Sequence, residues 1–117
     1  TIDEIPILAL AASCAKGTTV ISGAEELNFK ESNRIQSTVD GLSRLGVQIE
    51  GKRDGMVITG QSKLNGTLVN SYGDHRIAMT MGIASLIASG ETQVDGAEAA
   101  SVSYPSFWTT LNSIRVA

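Results

Sequence analysis

Cysteine, histidine and proline are scarce in this sequence of 117 residues, which contains one Cys, one His and two Pro. A single cysteine, Cys14, excludes an internal disulfide and is typical of a reducing compartment, so we predict a cytoplasmic protein. Structural zinc sites take about four ligands, mostly Cys and His, and one of each is too few. The composition therefore predicts no metal site.

Long apolar runs and clusters of like charge are also missing. The longest apolar stretch, residues 5–15, is interrupted by Pro6 and Ser13 and is shorter than the roughly 20 residues that a membrane-spanning helix needs. Nine basic and twelve acidic residues leave a net charge of −3. We predict neither a membrane span nor a nucleic-acid-binding surface. The sequence starts at Thr1 within a helical pattern and without Met, so we expect a segment upstream.

The apolar residues, 42% of the chain, suffice for one compact domain and follow helical and strand periods in turn. They predict four helices. The first is buried, with Asp3 as its cap and Gly17 at its end, and the second is amphipathic over residues 35–45. The third, over residues 77–87, is largely apolar and buried between layers, and the fourth starts at residue 103. They predict strands over residues 18–22, 47–50, 56–59, 67–70 and 91–95. The second and third strands form a hairpin, in which Asp54 and Gly55 supply the positive φ angles of a tight turn.

A repeat organises these elements. Residues 17–25, GTTVISGAE, match residues 90–98, GETQVDGAE, at an offset of 73 residues. Each copy follows an apolar helix and precedes another helix, so the unit is β-α-β-α-β-β. We predict an α+β fold in which residues 1–66 and 67–117 are two incomplete units of a single partial domain. Their unpaired strand edges favour self-association or pairing with further strands.

Two segments carry more charge than a scaffold needs: KESNR at residues 30–34 and GDHR at residues 73–76, each where a helix begins. Helix N-termini favour anions, and an arginine there opposes the helix dipole while offering a planar fork that suits phosphate or carboxylate. Arg34 and Arg76 are therefore candidate anion ligands. The alternative for each is a solvated arginine paired with a neighbouring acid.

Four further residues are weighed between a structural and a chemical role. Asp3 fits a helix cap, and Glu31 fits either a general acid or the first-turn acid that a helix dipole favours. His75 fits a hydrogen-bonding support better than a metal ligand. The apolar pattern around Cys14 predicts a small core residue.

Five motifs, in order, resemble the C-terminal part of the EPSP synthase (3-phosphoshikimate 1-carboxyvinyltransferase) family: DEIP at 3–6, GAEE at 23–26, KESNR at 30–34, GDHRIAM at 73–79 and YPSF at 104–107. The resemblance covers nearly the whole chain. It implies the inside-out α/β barrel fold, two domains of β-α-β-α-β-β units with substrates between them, of which this chain is one piece. The alternatives are the sister family acting on UDP-N-acetylglucosamine, which the GDHR run disfavours, and a non-catalytic module that dimerises through its strand edges.

The resemblance implies transfer of the enolpyruvyl group of phosphoenolpyruvate to the 5-hydroxyl of shikimate 3-phosphate, with release of phosphate and without metal or cofactor. This step belongs to the shikimate pathway towards aromatic amino acids. By motif match, Asp3 orients or deprotonates the hydroxyl and Glu31 protonates the methylene carbon. The implied ligands are Lys30 for shikimate 3-phosphate, Arg34 and Arg76 for phosphoenolpyruvate, and His75 on the pocket wall. The other domain supplies the remaining ligands, so the chain alone is expected to be inactive.

Two positions depart from the family pattern. Val102 stands where many members carry a lysine that helps to bind phosphoenolpyruvate and glyphosate, so we expect weakened glyphosate binding more than lost activity. Glu26 stands where an amide side chain often meets the shikimate, and that role is not transferred to it.

Overall fold

Helices and short strands alternate along the chain in a computed structural model that describes residues 4–30, 32–60 and 63–98. In chain order the elements are α1 (Ile5–Cys14), β1 (Thr18–Ile21), a 3-10 helix (Glu25–Phe29), α2 (Arg34–Arg44), β2 (Gln48–Lys52), β3 (Gly55–Thr59), β4 (Leu68–Asn70), α3 (His75–Ile87) and β5 (Gln93–Asp95). The predicted helices and strands of this part of the chain are confirmed, whereas the 3-10 helix was not predicted. Asp3, Glu31, Val102 and the helix from residue 103 lie outside the described residues.

The first sheet contains β1, β3 and β2 in that order, all antiparallel, so β3 lies in the middle. β2 and β3 form the predicted hairpin across the two loop residues Arg53 and Asp54. The predicted turn geometry is wrong, because neither Asp54 nor Gly55 has a positive φ. Gly55 has another reason to lack a side chain: a Cβ there would overlap the backbone of Ile21, at the end of β1.

The second sheet pairs β4 with β5 in parallel, with Val69 opposite Val94, and α3 makes the connection between them. Parallel neighbours need such a crossover, because a tight turn cannot join them. The backbone N of Ser71, just after β4, donates to the carbonyl oxygen of Asp95 at 2.9 Å. This contact extends the pairing to the point where the chain turns into α3.

The three helices and both sheets share one core. α2 packs on β2 and β4, and α1 contacts both other helices. The largest fully buried apolar side chains are Leu27, Leu42, Leu45, Met56, Ile58, Ile77, Met81 and Val69. Three predictions about burial are wrong: Leu8 of α1 and Ile87 of α3 are each 52% exposed, and Cys14 is exposed rather than a core residue. Periodicity identifies an apolar helix but not which of its sides other elements cover.

The two copies of the sequence repeat share a backbone feature at matching positions. Gly17 and Gly90 have φ angles of 89° and 82°, and Gly23 and Gly96 have φ angles of 71° and 73°. Residues with side chains rarely adopt these angles, which accounts for glycine at all four positions. The C-cap residues of α1 and α3 are also at the repeat offset, and both are extended.

The longest described helix, α3, has 13 residues and is about 20 Å long, shorter than the roughly 30 Å hydrocarbon core of a bilayer. Accordingly, none of the helices in the described ranges could cross a membrane. Within the same ranges, no group of three Cys, His, Asp or Glu side chains could hold a metal ion.

Candidate functional site

The first candidate segment, residues 30–34, leads into α2. Asn33 is the N-cap of this helix, and its Oδ1 accepts a hydrogen bond from the backbone N of Gln36 at 3.2 Å. The bond satisfies one of the amides that a helix N-terminus leaves unpaired. Arg34 therefore occupies the first turn of α2, as predicted. Lys30, at the C-cap of the 3-10 helix, is exposed.

The second candidate segment, residues 73–76, leads into α3. Asp74 is the N-cap, and its Oδ1 accepts a hydrogen bond from the backbone N of Arg76 at 2.9 Å. The turn before it has φ angles of 55° at Tyr72 and 68° at Gly73, both in the left-handed region. His75 and Arg76 consequently begin α3, and both are half-buried.

The carboxylate of Asp74 joins the two segments. Its Oδ2 accepts hydrogen bonds from Nε of Arg34 at 2.8 Å, from Oγ of Ser32 at 2.9 Å and from the backbone N of Ser32 at 3.2 Å. Asp74 is fully buried and Arg34 is only 3% exposed. The interpretation of Arg34 as a solvated surface residue is therefore wrong, since its partner acid lies in the interior, where water screens the pair little.

The environment of Asp74 changes its acidity. Burial works to raise the pKa of this carboxyl, because it disfavours the charged form. The hydrogen bonds from Arg34 and Ser32, the charge of Arg34 and the backbone amide of Arg76 outweigh burial, so that the pKa of Asp74 is lowered. Asp74 is therefore ionised at neutral pH and accepts hydrogen bonds with both oxygens.

Arg76 differs from Arg34 in its partners. The Nε atom of Arg76 is buried and has no hydrogen-bond partner within the described ranges. A buried donor without a partner is costly, and in a native structure it calls for an explanation such as a group that binds there. A guanidinium in this state can take a carboxylate or a phosphate through its parallel N–H groups. Arg76 thus has the properties of an anion ligand.

A small cavity adjoins the segment that leads into α2. It has a volume of about 220 Å³, and its lining consists of Ser32, Asn33, Gln36, Ser37, Asp40 and Tyr72. Oη of Tyr72 donates to Oδ2 of Asp40 at 2.7 Å, and this hydrogen bond is the main cause of a raised pKa of Tyr72. Oγ of Ser37 lies 2.9 Å from Oγ of Ser32, so the cavity wall is continuous with the network around Asp74.

The structure brings together some of the predicted site residues. The beginnings of α2 and α3, with Arg34 and Arg76, meet at Asp74. Asp3 and Glu31 are not among the described residues, and Glu26 is exposed on the 3-10 helix. The sequence analysis places Asp74 within GDHR at the start of a helix, and an Asp at a helix cap is a local signal. It missed the contacts of Asp74 with Ser32 and Arg34, for which no sequence signal exists.

Comparison with known proteins establishes the family. The model of the family described as EPSP synthase (3-phosphoshikimate 1-carboxyvinyltransferase) matches residues 1–111. The chain belongs to the EPSP synthase family. A relative from Bacillus cytotoxicus, named 3-phosphoshikimate 1-carboxyvinyltransferase, is 56% identical over 113 residues, which are 97% of this chain and 27% of the relative. A relative of the same name from Roseiflexus castenholzii is 54% identical over 114 residues, 97% of this chain and 26% of its own.

A solved structure of EPSP synthase from Acinetobacter baumannii matches this fold with a TM-score of 0.89 at 41% identity, over 97% of this chain and 27% of that one. The predicted α+β class is confirmed at this level. The chain spans about a quarter of the length of the relatives that it matches.

Proposed function

We propose that this chain supplies part of the active site of an enzyme that transfers the enolpyruvyl group of phosphoenolpyruvate to the 5-hydroxyl of shikimate 3-phosphate. The observation that carries the proposal is Nε of Arg76, which is buried and has no hydrogen-bond partner among the described residues. Its helix start and Arg34 both donate to the carboxylate of Asp74. Phosphoenolpyruvate bears a phosphate and a carboxylate, and two positioned arginines suit such a ligand. The names of the relatives support these substrates.

The reaction is an addition followed by an elimination. In the addition, the methylene carbon of phosphoenolpyruvate takes a proton, and the 5-hydroxyl oxygen bonds to the neighbouring carbon while losing its own proton. In the elimination, phosphate leaves that carbon and a proton leaves the new methyl group, which restores the double bond. The steps need an acid and a base at fixed places and cations that hold the anionic groups.

The proposed roles are those that the motif match to the family implies, and each suits the chemistry of its side chain. Glu31 is the acid at the methylene carbon, and Asp3 orients or deprotonates the 5-hydroxyl. The proposed ligands are Arg34 and Arg76 for phosphoenolpyruvate, Lys30 for shikimate 3-phosphate and His75 for the pocket wall. The half-buried position of His75 beside Arg76 at the start of α3 supports its place there.

We further propose that residues 1–66 and 67–117 are two incomplete β-α-β-α-β-β units of one domain. The similar φ angles at Gly17 and Gly90, and at Gly23 and Gly96, support this division. The partner of the chain is then the rest of the same enzyme, which contributes the remaining strands and ligands. The single cysteine supports a cytoplasmic location.

A chimera tests the proposed function. In the Bacillus cytotoxicus relative, this chain replaces the 113 residues that match it, and phosphate release from phosphoenolpyruvate plus shikimate 3-phosphate is measured. We expect turnover by the chimera and none by the chain alone, because the chain carries only one part of the site. A chimera that unfolds cooperatively but releases no phosphate would overturn the proposal.

The same assay tests Arg76. We expect Arg76→Lys in the chimera to lower kcat/KM by about 100-fold, because a single ammonium replaces a planar fork. Arg44→Lys is the matched control: Arg44 pairs with Asp40 at 3.2 Å and is 56% exposed. Its exchange changes kcat/KM by less than about twofold, as exposed ion pairs contribute little. Equal losses in the two variants would contradict the role of Arg76.

A further inference from the structure

Asp74 makes more hydrogen bonds than a helix cap requires. A cap needs one acceptor for one or two amides of the first turn. Asp74 uses Oδ1 for the backbone N of Arg76 and Oδ2 for three donors, two on Ser32 and one on Arg34. Both oxygens are thus occupied by the protein, and the side chain is fully buried. Any effect of Asp74 on a bound anion must therefore pass through the groups that it holds.

The contact with Arg34 sets the orientation of the guanidinium. The donor is Nε, at 2.8 Å, which lies in the guanidinium plane next to the aliphatic stem. The aliphatic stem of Arg34 starts from α2 and the side chain is buried. With its N–H of Nε directed at a fixed oxygen as well, the guanidinium has little freedom to turn, which restricts the direction of both terminal nitrogens. A planar, oriented fork is the feature that lets arginine bind carboxylate or phosphate with two parallel hydrogen bonds.

The contact with Arg76 ties the second arginine to the same carboxylate. Through its backbone N, at 2.9 Å from Oδ1, the first turn of α3 is held against the group that holds Arg34. Ser32 adds two further bonds from the segment that leads into α2. One buried carboxylate therefore bonds to both helix starts. It thereby helps to set the distance between them, and with it the distance between Arg34 and Arg76.

We propose that Asp74 is a positioning residue for the phosphoenolpyruvate site, which fixes the orientation of Arg34 and its distance from Arg76 without touching the substrate. The proposal rests on the proposed function, in which these two arginines bind phosphoenolpyruvate. According to this proposal, Asp74 affects the affinity for phosphoenolpyruvate, whereas the affinity for shikimate 3-phosphate depends on other residues.

The test uses Asp74→Asn in the chimera, with KM measured separately for each substrate. The amide retains the shape of the side chain but offers one acceptor oxygen to four donors. We expect KM for phosphoenolpyruvate to rise by about tenfold or more and KM for shikimate 3-phosphate to change by less than about threefold. Glu50→Gln is the control, since Glu50 is also an acid that accepts a hydrogen bond from a basic side chain, Lys52 at 2.9 Å, but is 70% exposed on β2. Both KM values of this variant stay within about twofold.

A double-mutant cycle separates positioning from a general loss of structure. If Asp74 acts through Arg34, then Asp74→Asn added to Arg34→Gln raises KM for phosphoenolpyruvate by much less than it does alone. Independent, multiplying effects, or equal changes of both KM values, would overturn the proposal. Should Asp74→Asn fail to fold, Ser32→Ala removes one donor to Oδ2 and is expected to raise KM for phosphoenolpyruvate alone, by about threefold; no change in that KM would overturn the proposal.

The two proposals fail in different ways. If the unmodified chimera folds but has no activity, the proposed function is overturned, and with it the role of Asp74 in binding phosphoenolpyruvate. An active chimera whose KM for phosphoenolpyruvate is unaffected by Asp74→Asn overturns the positioning role alone.

Discussion

Thr38 on α2 and Thr80 on α3 are both buried threonines, but their hydroxyl groups differ. Oγ1 of Thr80 donates to the carbonyl oxygen of Arg76 at 2.8 Å, whereas Oγ1 of Thr38 has no hydrogen-bond partner within the described ranges. A buried hydroxyl without a partner loses its hydrogen bonds to water and gains none in return. The hydroxyl of Thr38 therefore costs stability that a methyl group of the same shape would not.

We expect Thr38→Val to raise the free energy of unfolding by about 1 kcal/mol and Thr80→Val to lower it by about 1 kcal/mol. Valine and threonine have similar helix propensities, so the difference reports on the hydroxyl groups. Urea unfolding of the chain measures both changes. A loss of stability in both variants would contradict the assignment of an unpaired hydroxyl to Thr38.

At the scale of elements, two glycines lie at the junction of α1, β1 and β3. The backbone N of Gly60 donates to the carbonyl oxygen of Gly17 at 2.8 Å. A Cβ on Gly60 would overlap the carbonyl oxygen of Ala15 and lie 2.8 Å from that of Gly17, while a Cβ on Gly17 would meet open space. The φ of Gly17 is 89°. Gly60 is therefore required by the close approach of two backbones and Gly17 by its conformation.

The two requirements predict different rankings of substituents. We expect Gly17→Ala to cost about 1 kcal/mol and Gly17→Asn less, because asparagine tolerates the left-handed region. At Gly60, alanine costs about 2–3 kcal/mol and asparagine at least as much, because any Cβ displaces the backbone. Midpoints of urea unfolding for the four variants give both rankings. If alanine and asparagine rank in the same order of stability at both positions, a single cause acts at both, and the distinction between conformation and close approach is wrong.

Element positions were largely predictable from the sequence, because periodicity and glycine punctuation are local signals. The β2–β3 hairpin illustrates the limit of such signals. Its two strands were predicted, yet Gly55 has no positive φ and is needed instead because Ile21 of another strand passes close to it. The exposure of Leu8 and Cys14 on α1 has the same origin, since burial depends on neighbours that are distant in sequence.

At the scale of the whole molecule, the candidate site was predictable only in its parts. KESNR and GDHR each lie at a helix start and can be found from local patterns. The contact between the two segments is made by Asp74 and Arg34, which are 40 positions apart in the sequence. They meet only because the folded chain brings the starts of α2 and α3 together. No spacing rule relates residues on different elements, so this contact required the structure.

The same contact makes the stability of the whole chain depend on pH. The pKa of Asp74 is lowered in the folded state, while in the unfolded chain an aspartate has a pKa of about 3.9. The ionised carboxylate therefore stabilises the fold fully above the unfolded pKa, and this contribution is lost as the pH falls through the lower folded pKa. Protonation also removes the negative charge of Asp74 from beside the buried guanidinium of Arg34, which is costly.

We expect the free energy of unfolding to fall as the pH drops below about 5, with part of that slope due to Asp74. Asp74→Asn is less stable than the parent at pH 7, because the buried guanidinium of Arg34 loses the charge of Asp74. Its slope over the acid range is flatter, because the amide takes up no proton. Urea unfolding of both chains at several pH values gives the two slopes. Parallel slopes would show that Asp74 binds a proton equally well in the folded and unfolded chain, which its four hydrogen-bond donors argue against.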